Sequence, residues 1–184
     1  VRAFYGALEG ALPEGRILCH DMIEGAIARA GFVGDITFYD GYPTTLSSSM
    51  RRLNRWTRGD WQLLPQLFSR KSFPNGHRHT HVNRLHMVDN LLRSLFAPAL
   101  LALFIGAVWT GNANALLAAL ILAYFRPILG LFCKDRLKWR RATAELTILP
   151  VVAWNMVDAI VRTLWRLAVS GKHMLDWVTA ADAE

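Results

Sequence analysis

Asp21, Arg55 and Trp56 are the residues with which this sequence can carry out a reaction. Asp21 stands where a short apolar run, Ile17-Leu18-Cys19, passes through His20 into residues with helical spacing, so its carboxylate sits at a helix start. Arg55 and Trp56 lie in a basic, aromatic stretch that also holds Arg51, Arg52, Arg58, Asp60 and Trp61. A carboxylate takes the proton from an attacking hydroxyl as the new bond forms, and a guanidinium stabilises charge growing on a departing diphosphate. An indole face can stack on the apolar side of a sugar ring. Each residue also has a plainer role: an Asp before a helix is a cap, an arginine-rich helix is a solvated face, and a tryptophan is core.

A second cluster invites a metal. His77, His79, His81 and His86 alternate, and in an extended segment His77, His79 and His81 put their imidazoles on one side. Arg78 and Arg84 share the segment and no carboxylate or cysteine accompanies it, so we read a solvated basic loop beside lipid headgroups and assign no metal ligand. Cys19 and Cys133 lie far apart in segments of different character, which gives neither a disulfide framework nor a zinc spacing and fits a reduced, cytoplasm-facing setting.

The elements that position these residues follow from periodicity. Met22, Ile23, Ala26, Ile27 and Ala30 recur at helical spacing and Gly31 ends the helix. Residues 35–40 alternate and are rich in β-formers, which predicts a strand closed by Gly41-Tyr42-Pro43. A longer helix runs from about Leu46 to Phe68, bent near Gly59 or Pro65. Residues 69–84 turn polar around Pro74-Asn75-Gly76 and form a connecting loop.

Beyond that loop the chain changes character. Residues 94–110 carry no charge and residues 115–133 carry only Arg126, with Gly111-Asn112-Ala113-Asn114 as a tight connection between them. A helix of that length covers roughly 28 Å, close to the hydrocarbon thickness of a bilayer, so the pair reads as a two-pass hairpin. Both arms are apolar all round, unlike the helices of a soluble bundle. In residues 149–170, Asp158, Arg162 and Arg166 form one charged stripe on an otherwise apolar helix, which suits either an interfacial helix or a spanning helix whose charged side faces protein.

Composition agrees with a membrane setting. The 184 residues are 53% hydrophobic with a net charge of +7, and basic clusters at 70–84 and 134–141 flank the apolar block, as loops retained on the cytoplasmic side do. The charge also admits a nucleic-acid module built on the 51–58 helix, but such a module has no use for an apolar hairpin. A non-catalytic membrane scaffold, in which Asp21 is only a cap, remains as another class. The chain starts at Val1 without a basic segment leading into an apolar one, so no secretory signal is visible, and both ends are expected to be cuts through a longer protein.

Residues 16–25, then Ala28-Arg29-Ala30-Gly31, then residues 51–62 together resemble the glycosyltransferase region of cyclic β-1,2-glucan synthases, and residues 174–184 resemble that family's passage toward its later domains. In the wider processive family that includes cellulose synthases, the matching motifs are Thr-Glu-Asp, whose Asp is the general base, and Gln-x-x-Arg-Trp. Here they become Cys19-His20-Asp21 and Arg52-x-x-Arg55-Trp56, with Arg52 where the family has Gln, a departure from the cellulose-synthase pattern. The glucosyltransferase of osmoregulated periplasmic glucans is similar at the same places, while Arg58-Gly59-Asp60-Trp61-Gln62 leans toward the cyclic-glucan type.

The resemblance implies an inverting glucosyltransferase of the bacterial inner membrane, multi-pass, with its catalytic part facing the cytoplasm. UDP-glucose would be the donor and a growing β-1,2-glucan the acceptor. Asp21 would deprotonate the acceptor hydroxyl, Arg55 would contact the diphosphate, and Trp56 would form the acceptor platform. His20 either orients Asp21 or packs beside it. Glu24 positions acceptor hydroxyls or is simply solvated, and Asp60 and Trp61 are structural or acceptor-side. A divalent cation, magnesium or manganese, would be held by an Asp-x-Asp pair in an N-terminal part absent from this sequence, so these residues alone are expected to be inactive and to need the N-terminal and C-terminal domains of the same polypeptide.

The fold expected from this resemblance is mixed. Residues 1–70 would be the acceptor-side, C-terminal part of a GT-A-like α/β glycosyltransferase domain, ahead of a mainly α-helical membrane region. That region divides into a basic cytoplasmic loop at 71–90, a transmembrane helical hairpin at 91–133, and a basic loop with an interfacial or third membrane helix at 134–184.

Overall fold

The computed structural model describes residues 2–9, 17–18, 21–28, 31, 33–39, 41, 43–69, 79–125 and 137–176. His20, His77 and the end of the expected hairpin's second arm, 126–133, lie outside the described residues. The helices are α1 (Arg2–Leu8), α2 (Asp21–Ala28), α3 (Leu46–Gln62), α4 (Leu64–Phe68), α5 (His81–Thr110), α6 (Ala113–Ala123), α7 (Leu137–Thr147) and α8 (Leu149–Trp165), followed by a π-helical turn, Arg166–Ser170.

The mixed α/β expectation is corrected here: the protein is mainly helical, and the described residues contain no strand. Residues 36–39 are irregular and exposed, with Phe38 89% and Tyr39 97% accessible. Alternating β-formers describe a surface able to pair, and a strand exists only where a neighbour completes its ladder. With no partner strand among the described residues, the GT-A-like assignment of this part falls.

The chain divides into two compact units. The first comprises Val1–Leu92 and Ala159–Glu184, and its core gathers Ile17, Ile23, Ile27, Leu63 and Met87, with Leu8, Met22 and Leu67 packed on it. Ile23 and Ile27 are one turn apart on α2, so one short helix buries one face. Thr45 caps α3, its hydroxyl accepting from the Ser48 backbone N–H at 3.1 Å. The helix ends at Leu63, whose N–H turns back to the Asp60 carbonyl, and α4 restarts with Pro65 in its first turn, where the missing N–H costs nothing. The expected long helix is thus two helices broken ahead of Pro65, while Gly59 is buried inside α3.

The second unit, Arg93–Asp158, has a core of Leu100, Ala119 and Leu149, with Ala97, Leu101, Leu103, Phe104, Ala123 and Leu146 against it. The turn after α5 uses Gly111 at φ 63°, a left-handed position where a side chain is strained, and the Asn112 N–H reaches back to the Ala107 carbonyl at 3.0 Å. Asn112 then caps α6, its side-chain amide oxygen accepting from the backbone N–H groups of Asn114 and Ala115. The Tyr124 and Trp139 rings stack with centroids 5.9 Å apart.

Helix α5 has 30 residues and is the described helix long and apolar enough by itself to cross a membrane. Its first turns are polar and begin at His81, inside the segment read from sequence as a loop. The apolar part continues through Pro98 to Trp109, which is 89% exposed at the helix end, a place where interfacial tryptophans collect. Helices α7 and α8 meet at a 60° bend and are apolar enough only as a pair. On α8, Ala153, Met156, Ala159 and Thr163 are buried while Trp154, Val157, Val161 and Trp165 are exposed, so both faces are apolar.

Candidate functional site

The residues singled out from sequence concentrate on α2 and α3. Asp21 is the first residue of α2, exposed at the end where four backbone N–H groups lack helical partners and the helix dipole favours a negative charge. Glu24, one turn on, is half-buried. The same helix buries Ile23 and Ile27 in one cluster with Leu63, the residue at which α3 stops. One apolar cluster, completed by Ile17 and Met87, therefore includes both the helix that starts at Asp21 and the residue that ends the helix carrying Arg55 and Trp56.

On α3, Arg52, Trp56 and Asp60 follow one another at four-residue steps along one side. The Arg52 guanidinium lies over the Trp56 ring, 4.4 Å from its centroid, a cation–π contact. Trp56 is nevertheless 38% exposed, so the residue expected to meet a sugar is open to solvent with an arginine across one ring face. Arg55 and Trp61 are both half-buried on neighbouring parts of the helix.

Asp60 has a definite setting. Its carboxylate accepts from the Asn90 side-chain amide at 3.0 Å, and the same amide lies 3.8 Å from the Met22 sulfur on α2. Burial pushes the Asp60 carboxyl above the usual carboxylate range, and the hydrogen bond from Asn90 opposes that shift. A polar link thus runs from Asp60 through Asn90 to the residue directly after Asp21.

Three functional-looking residues escaped the sequence reading of roles. Gln62 is buried, with its amide oxygen accepting from the Leu18 backbone N–H at 2.7 Å and its amide nitrogen donating to the Met174 carbonyl at 2.8 Å. Arg58, one turn earlier, donates to the Asp176 carbonyl at 2.7 Å. Asn90 sits in the polar start of α5. The signal that could have found Gln62 is its position seven residues after Arg55, two turns along the same face. A cavity of about 280 Å³ opens beside Gln62, bounded also by Ile17, Gln66, Arg166, Gly171 and Met174.

The described histidines do not gather. His79 is buried and its imidazole is held below the ordinary value, first by burial and then by the nearby Arg84 charge, while His81 and His86 are exposed on α5. Among the described residues no three His, Cys, Asp or Glu side chains come together as a metal site. The charged stripe of 158–166 ends in a local contact, with Arg166 donating to the His173 carbonyl.

No family model matches the chain. Along its whole length it is 36% identical, over 208 residues, to the cyclic β-(1,2)-glucan synthase NdvB of Rhizobium meliloti (strain 1021). The chain matches one region of a cyclic β-(1,2)-glucan synthase. That synthase is far longer, and the chain spans 7% of its length. The likeness covers α2, α3 and the apolar helices together, so the Asp21 and Arg55-Trp56 segments are found with the membrane-length helix within one synthase region.

Proposed function

We propose that this region is the acceptor-side, membrane-proximal part of a glucosyltransferase that lengthens a β-1,2-glucan from UDP-glucose. Asp21 is the general base for the acceptor hydroxyl, Arg55 neutralises charge on the leaving diphosphate, and the anomeric carbon inverts in a single displacement. Trp56, with Arg52 across one face of its ring, is the platform on which the acceptor sugar stacks. Glu24, Asp60 and Trp61 line the acceptor side. The donor and its magnesium or manganese ion are held by another part of the same polypeptide. Helix α5 lies in the bacterial inner membrane, with α2 and α3 on the cytoplasmic side.

The observation that carries this reading is the apolar cluster that brings Ile23 and Ile27 of the Asp21 helix together with Leu63, the residue at which the Arg55-Trp56 helix stops. Those residues are far apart in sequence, and a helix cap or a solvated arginine face needs no such junction. The similarity to a cyclic β-(1,2)-glucan synthase supports the choice of sugar and linkage. A glucosyltransferase of osmoregulated periplasmic glucans shares the residue pattern and differs in the glucan it would extend.

The acceptor platform is tested in the full-length synthase with Trp56→Ala and Trp56→Phe, measuring KM for a β-1,2-glucan acceptor and for UDP-glucose separately. Stacking on an aromatic face is worth about 1 kcal/mol or somewhat more, so Trp56→Ala should raise the acceptor KM at least 5-fold and leave the donor KM alone. Trp56→Phe should recover most of that loss. An acceptor KM unchanged in Trp56→Ala removes the platform.

A further inference from the structure

Helix α3 presents Arg55 and Gln62 on one face, two turns or about 10 Å apart. Gln62 is 4% exposed and uses both ends of its amide on backbone atoms far away in sequence. Its oxygen takes the N–H of Leu18, three positions before Asp21, and its nitrogen gives to the carbonyl of Met174. An amide satisfied at both ends has one orientation, because turning it over would set oxygen against carbonyl and N–H against N–H. Arg58 adds a parallel bond to the Asp176 carbonyl, so 174–176 is pinned to α3 at two points. Leu18, three positions before the start of α2, is thereby tied to the same helix face that carries Arg55.

We propose that Gln62 is a positioning residue for the transfer reaction: through Leu18 it holds the backbone that delivers Asp21 at a set distance from Arg55. This rests on reading Asp21 and Arg55 as the base and the diphosphate contact. Satisfying a buried backbone N–H explains an amide at this place, but a hydroxyl or a water would satisfy Leu18 as well. The simultaneous bond to Met174 is what turns the contact into a rigid spacer.

The test uses the full-length synthase in membranes, with Gln62→Leu and Gln62→Glu, each alone and combined with Asp21→Asn. Misplacing a reacting group by about 1 Å can cost on the order of 10²-fold, so Gln62→Leu should lower kcat by roughly that factor while KM for UDP-glucose stays within about 2-fold. In the Asp21→Asn background the same substitution should cost nothing further, since residues acting as one unit are not additive. Gln62→Glu keeps the acceptor for Leu18 and recovers a donor for Met174 only when protonated. Its kcat should therefore climb as pH falls, along a limb that the unmodified enzyme lacks.

Unchanged kcat in Gln62→Leu overturns the proposal, and so does a loss that adds in full to that of Asp21→Asn. If Gln62→Leu fails to accumulate, Gln62→Glu decides alone, and a profile without the extra limb overturns it. Full turnover by Asp21→Asn alone would instead remove the reading of Asp21 as base, and the positioning role with it.

Discussion

The unit that carries α2 and α3 and the unit that carries α6 and α7 each have an apolar core, and the first adds a second kind of contact to it. In the first, polar side chains reach distant backbone: Gln62 to Leu18 and Met174, Arg58 to Asp176, Arg84 to Ser69. In the second, small and aliphatic residues meet around Leu100, Ala119 and Leu149, while Ile105, Trp109, Leu117 and Trp154 face outward. Side chain to backbone bonds fix orientation, which a reacting group requires. Apolar contacts fix only proximity, and an apolar exterior suits helices whose surroundings are lipid. Orientation is specified where chemistry is proposed, and hydrophobicity where anchoring is.

That contrast can be broken most sharply at Ile23. Removing its buried methyl groups with Ile23→Ala should cost about 2–5 kcal/mol by separating α2 from Leu63, read as a loss of cooperative unfolding in the full-length protein. A comparable truncation at exposed Leu117 should leave the detergent-solubilised protein's unfolding unchanged within about 0.5 kcal/mol. Equal losses at the two positions would erase the distinction.

Asp60 sharpens the comparison through pH. Its folded carboxyl binds protons more readily than it does in the unfolded chain, because burial disfavours the charge more than Asn90 favours it. Stability from this group is full below the unfolded pKa and declines as pH rises through the window up to the raised folded value. Asp60→Asn keeps an acceptor for Asn90 and carries no charge, so its melting temperature should fall less than the unmodified protein's across that window. Identical pH slopes for the two proteins would contradict the assignment.

The smallest effect is expected at Thr163. It is 1% exposed, and its hydroxyl has no hydrogen-bond partner among the described residues. Thr163→Val removes a polar group rather than a bond, so it should be neutral or stabilise by about 1 kcal/mol in chemical denaturation. A loss of that size would mean the hydroxyl is bonded.

Sequence made the local part of this picture legible. Apolar spacing gave the helix beginning at Asp21, and Leu46 and Pro65 bracket the start and break of the next helical stretch. It failed where structure depends on distant partners. Residues 35–40 have the composition of a strand, but composition cannot supply the neighbour that a strand needs. Gln62 was readable as part of a family motif, yet its partners lie 44 and 112 positions away and are backbone atoms, which leave no residue pattern to read. Asn90 fell in what looked like a loop, and its partner Asp60 lies 30 positions away, beyond the reach of local spacing.

The central proposal is that the helix start at Asp21 is a catalytic base held against the Arg55-Trp56 helix. It is tested most directly by glucose transfer from UDP-glucose to β-1,2-glucan in membranes bearing the full-length synthase, unmodified or with Asp21→Asn. Loss of a general base lowers turnover by about 10²–10⁴-fold, with the variant still requiring detergent for extraction and still binding UDP-glucose. Turnover within about 2-fold of the unmodified enzyme would make Asp21 a helix cap and this region a scaffold.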